Sequence, residues 1–94
     1  MAEARAEQDQ AAGGREARRV DLGDGKTALA SIELKLLPKG RRVYAYLRFT
    51  RDGKTVNEYL GEATAIDRPT ALIRGFDLAR TKGLLIEGTR ADDV

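Results

Sequence analysis

The sequence predicts an α+β fold: a three-stranded antiparallel sheet, four-stranded if one further short segment joins it, with one helix packed on one face. Three observations predict it. Apolar and polar residues alternate with period two through residues 27–37 and again through 42–50. Asp-Gly pairs stand at 24–25 and 52–53, each between apolar runs, as hairpin turns require. A run at helical spacing, residues 68–82, is bounded by Asp67 and Pro69 at one end and Gly83 at the other.

Residues 1–19 are rich in Ala, Glu, Arg and Gln and break at Gly13-Gly14. Propensity allows a helix over the first dozen. With almost no large apolar side chain to hold it to a core, the segment is expected to be a disordered or transiently helical tail. The packed domain is expected over residues 20–87, and residues 88–94 read as an acidic flexible tail. Val20–Leu22 reads as a short edge strand before the Asp24-Gly25 turn. In Thr27–Leu37, Ala30, Ile32, Leu34 and Leu36 share one face while Ser31, Glu33 and Lys35 share the other. Pro38-Lys39-Gly40-Arg41 then makes a turn.

Arg42–Thr50 is the clearest strand. Val43, Ala45, Leu47 and Phe49 form an apolar face, and Arg42, Tyr44, Tyr46, Arg48 and Thr50 form the opposite one. Thr55–Leu60 returns after the Asp52-Gly53 turn, with Val56 and Leu60 on one face and Asn57 and Tyr59 on the other. The helix covers the apolar face: Leu72, Ile73, Phe76 and Ala79 recur at its spacing. Asp67 suits its N-cap and Pro69 its first turn. Gly75 within it, unfavourable by about 1 kcal/mol against Ala, implies a close approach of helix to sheet. Leu84-Leu85-Ile86 is expected to dock as a last short strand or to plug the core edge.

Composition excludes much chemistry. The 94 residues contain no Cys and no His. Disulfides, thiolate metal sites and Ser/His or Cys/His dyads are thereby removed. Ser31 is the only serine and lies inside an alternating strand pattern. The carboxylates are scattered along the chain. A non-enzymatic protein with no catalytic residues, no cofactor and no metal is expected. No apolar run approaches the roughly 18 residues of a membrane span, and the N-terminus lacks a hydrophobic signal region. No membrane association and a cytoplasmic location are the expectations.

Net charge is only +2, yet residues 38–60 carry six basic side chains against two acidic ones. Clustered positive charge points to an anionic partner. The outward face of the second strand offers Arg42, Tyr44, Tyr46 and Arg48, with Lys35, Asn57 and Tyr59 beside them if the strands pair as expected. Arg and Lys neutralise phosphates; Arg pairs with guanine, Asn with adenine; Tyr contacts phosphate or stacks on a base. Lys39, Arg41, Arg51 and Lys54, at the turns, complete the candidate set, as phosphate contacts or as solvated turn charges. Exposed Tyr and Arg side chains also stabilise sheet faces and anchor protein interfaces.

The run Val43-Tyr44-Ala45-Tyr46-Leu47-Arg48-Phe49, the turn Asp52-Gly53-Lys54 and the close Glu58-Tyr59-Leu60-Gly61 before a helix resemble a known layout. It is that of the three-stranded-sheet-plus-helix DNA-binding domains: the arm-type domains of phage and transposon integrases and the AP2-type domains of plant transcription factors. The resemblance covers roughly residues 30–83. It implies that the open sheet face enters a major groove, and that the protein is an accessory or regulatory factor of a phage or mobile element. The chain departs from the AP2 pattern in having no tryptophan. Double-stranded DNA is the first expected partner, with RNA or single strands as a variant. A protein-interaction module or homo-oligomer, using the Tyr/Arg face or an exposed strand edge, is the alternative.

Overall fold

Alternating strands and one capped helix do form, in a computed structural model that describes residues 2–36 and 40–86. The elements are α1 (Ala2–Ala12), a 3-10 turn (Arg15–Arg18), β1 (Arg19–Gly23), β2 (Lys26–Leu29), β3 (Ser31–Leu36), β4 (Val43–Arg51), β5 (Lys54–Glu62) and α2 (Arg68–Thr81). β1 and β2 form a two-stranded ribbon, and β3, β4 and β5 form an antiparallel sheet in that order. The segment 88–94 and Lys39 lie outside the described residues. No described helix is long and apolar enough to cross a membrane.

Both Asp-Gly pairs make the expected turns. Asp24 and Gly25 have φ of 53° and 75°, and Asp52 and Gly53 have 52° and 77°. Positive φ at both central residues is the type I′ requirement, which Asp tolerates and Gly accepts freely. The alternating segment, however, is two strands rather than one over its described residues 27–36. It breaks at Ala30, whose N–H donates to the Arg18 carbonyl at 2.8 Å and whose carbonyl accepts from Arg18 Nε at 2.8 Å. The main chain at Ala30 is turned to Arg18 rather than to a strand neighbour. The fourth strand therefore belongs to a separate ribbon.

The core lies between α2 and the β3–β4–β5 sheet. Phe76, Leu72, Ala79, Ala45 and Leu47 are fully buried there, with Ile32 and Leu60. Asp67 caps α2: its carboxylate accepts the Thr70 N–H at 2.9 Å. Hydrogen bonding to Thr70, through side chain first and backbone second, holds the Asp67 carboxyl below its usual range. The expected reason for Gly75 holds. A Cβ there would stand 2.6 Å from Ile32 Cγ2, so the helix reaches β3 at a distance only glycine permits. The buried face of α2 is Ala71, Leu72, Gly75, Phe76 and Ala79. Ile73 does not belong to it: at 45% exposure it stands about 130° around the helix from that face's centre. Leu36, expected on the inner face, is 64% exposed at the end of β3. Leu84–Ile86 plugs the core edge and forms no strand: Leu85 is buried, and the Ile86 N–H donates to the Arg19 carbonyl.

The N-terminal segment corrects the expectation of a loose tail. α1 docks, and polar contacts do the holding. Gln8 is buried; its amide donates to the Ile32 carbonyl at 3.0 Å and accepts the Ile32 N–H at 2.8 Å. Asp9 pairs with the buried Arg18 at 2.6 Å, Glu7 with Arg68 at 2.8 Å, and Arg80 donates to the Ala12 carbonyl. Ala12 is 3% exposed, the one deeply buried apolar residue among the α1 side chains described.

Candidate nucleic-acid interface

Strand register sets the open face. A pleated strand sends successive side chains to opposite sides, so the residues of β4 between the buried ones point away from α2. Three cross-strand rows result: Ser31–Arg48–Asn57, Glu33–Tyr46–Tyr59 and Lys35–Tyr44–Glu62. The last row depends on a bulge. Register slips between Ala45 and Tyr46, which pair with Gly61 and Tyr59, leaving Leu60 as the extra residue. Leu60 can thus be buried while Tyr59 and Glu62 both face outward.

The three tyrosines touch. Tyr46 and Tyr59 ring centroids are 5.2 Å apart at 57°, and Tyr44 and Tyr59 are 6.5 Å apart at 41°. Tilted contacts of this kind contribute about 0.5–1.5 kcal/mol each beyond area burial, so the rings stabilise one another on the face. Lys35 Nζ stands 4.6 Å from the Tyr46 centroid, in cation–π range. Arg48 Nη1 is 3.8 Å from Glu33 Oε2, with both side chains well exposed, so this pair orients more than it stabilises. Tyr59 is 53% exposed, and Tyr44 and Tyr46 are half-buried.

Of the residues expected to form one site, the sheet brings together Lys35, Tyr44, Tyr46, Arg48, Asn57 and Tyr59. The remaining described ones lie elsewhere. Arg41 and Arg42 are exposed just before β4 begins. Arg51 and Lys54 pair at the far hairpin tip, and both have the parity of the helix-side face. The Arg51 guanidinium lies 5.6 Å over the Phe49 ring, on the side away from the tyrosines. The face also holds two acidic residues outside the expected set. Glu33 was legible, since it shares parity with Lys35. Glu62 was not, because simple alternation from Tyr59 turns it inward and only the bulge brings it out. The centre of the face is therefore balanced in charge, while Arg41 and Arg42 stand before β4 at one end and Arg51 and Lys54 lie on the helix side of the hairpin tip at the other. Among the described residues, no three His, Cys, Asp or Glu side chains are grouped to hold a metal ion.

The β5 edge is protected. Glu58 faces the helix side opposite Leu47 yet is exposed at the rim, and the bulge follows it. An inward-pointing charge and a bulge are both barriers to edge pairing. No protein-family model matches this chain, and no curated protein or solved structure matches it either.

Proposed function

We propose that this chain is a non-enzymatic nucleic-acid-binding domain that lays the open face of β3–β4–β5 in the major groove of double-stranded DNA. One observation carries the reading: Tyr44, Tyr46 and Tyr59 cluster with Lys35, Arg48 and Asn57 on the sheet face that no described helix covers. Dimensions support it. Three strands span about 10 Å between the outer axes, against a groove about 12 Å wide. The nine residues of β4 extend about 30 Å. This length sets Arg41 and Arg42 at one end for phosphate contact, while Arg51 and Lys54, on the helix side of the hairpin tip, are less well placed at the other. Arg48 and Asn57, directly paired across strands, suit base edges, and Glu33 steadies the Arg48 guanidinium. The balanced centre favours bases there over phosphates.

Fluorescence-anisotropy titration with short random duplex DNA at two salt concentrations tests this. Binding is expected to weaken with rising salt, as release of counterions from the contacted phosphates requires. Tyr46→Ala/Arg48→Ala is expected to weaken it by about tenfold or more, since loss of one good base contact costs about 1–3 kcal/mol. Stronger binding to single strands would shift the reading to base stacking on the tyrosines. Absence of binding at low salt by folded protein would overturn it. The charge balance at the face centre favours a protein partner as the second reading, and that outcome would make it the leading one.

A further inference from the structure

We propose that the outer edge of β3 is a self-association surface for a second copy of this chain, and that α1 guards it. The inference is independent of the nucleic-acid reading. In an antiparallel strand, alternate residues direct both N–H and C=O to one neighbour and then to the other. Ser31, Glu33 and Lys35 turn theirs to β4, so those of Ile32, Leu34 and Leu36 face outward. The Gln8 amide meets the outward pair of Ile32 with two hydrogen bonds, 3.0 and 2.8 Å, in the way a neighbouring strand would.

The β3 sequence is complementary to itself in one antiparallel register, that centred on Leu34. There Ile32 faces the copy's Leu36, Leu34 faces Leu34, and Glu33 faces the copy's Lys35, each relation occurring twice about the two-fold axis except the central one. Outward hydrogen-bonding residues meet outward ones, as the ladder requires. Apolar pairs fall on the helix side and opposite charges on the open face. Shifting the pairing by one step in either direction sets Glu33 against Glu33 or Lys35 against Lys35. The register is thus selected by charge. It also gives a partner to Leu36, which is 64% exposed in the single chain. The β5 edge, with Glu58 and the bulge, has no such complementarity. The product is a six-stranded sheet with two tyrosine clusters on the same side, because an isologous axis of this kind is perpendicular to the sheet.

α1 and the second copy compete for Ile32. The helix is held there by Gln8, Asp9–Arg18, Glu7–Arg68 and the Arg80–Ala12 contact, with Ala12 at the margin of the core, so most of the links to be released are polar. Sedimentation velocity of the full chain over a wide concentration range tests the proposal. Gln8→Ala is expected to tighten dimerisation by about tenfold, a shift equivalent to about 1.4 kcal/mol. Adding Glu33→Lys is expected to weaken it again by a similar factor, and adding Lys35→Glu to that variant is expected to restore it. A folded Gln8→Ala protein that remains monomeric throughout overturns the proposal. So does association indifferent to the charge reversal, or a ladder of larger oligomers in place of a dimer. If Gln8→Ala fails to fold cooperatively by circular dichroism, Asp9→Asn loosens α1 through Arg18 and is held to the same outcomes.

Discussion

Arg18→Ala is expected to destabilise the protein by about 3 kcal/mol, measured as a lowered urea midpoint at unchanged slope. The Arg18 side chain is 10% exposed and joins three segments. Its Nη1 meets Asp9 at 2.6 Å, its Nη2 donates to Ser31 Oγ at 2.9 Å, and its Nε donates to the Ala30 carbonyl at 2.8 Å. Removing one member of a buried ion pair costs about 3–5 kcal/mol, because the groups left behind lose their partners without regaining full hydration. The low end applies here, since the Asp9 side chain is 34% exposed and rehydrates in part. For a domain of this size the loss corresponds to a fall in melting temperature of about 15 °C. Arg18→Met/Asp9→Leu is expected to recover part of the loss, because it removes both charges and keeps the volume. A change below 1 kcal/mol in Arg18→Ala would mean that the arginine does not fasten α1 to the sheet.

Phe76→Ala is expected to cost about 4 kcal/mol, read in the same titration. Phe76 is one of the three largest fully buried side chains, with Leu47 and Leu72. The cost combines lost transfer free energy with a cavity that cannot close, since Gly75 already holds the helix backbone against Ile32. Small domains have about 5–15 kcal/mol in total, so this variant is expected to retain little margin and to melt broadly. A loss under 2 kcal/mol would show that the sheet and helix collapse onto the vacancy.

How far these features could be read beforehand depends on what kind of force makes them. The β4 alternation, the two Asp-Gly turns, the Asp67 cap and the Gly75 approach are local or packing signals, and each was legible. The docking of α1 was not. Its links are an amide on a main-chain edge, a buried arginine and surface ion pairs, none of which registers in a reading that counts large apolar residues. The break at Ala30 has the same origin, because the residue that causes it, Arg18, is twelve positions away. In the candidate site, the tyrosines were legible from parity alone. The acidic partners were less so, since Glu62 reaches the face only through a bulge at Leu60 that the period-two pattern conceals.

The links of α1 to the rest of the molecule also have a temporal meaning. Glu7–Arg68 and Ala12–Arg80 close chain separations of 61 and 68 residues, whereas the β4–β5 hairpin closes across a two-residue turn. Long closures lose more chain entropy before any contact rewards them, so the hairpin is expected to form before these two links close. An element held by a few polar links is also the first to open in the native ensemble. Amide hydrogen exchange is expected to show α1 and the outward Ile32 amide exchanging together and well before β4; equal protection of α1 and β4 would contradict it. Late closure and native breathing then share one cause, the few and mostly polar links that hold α1.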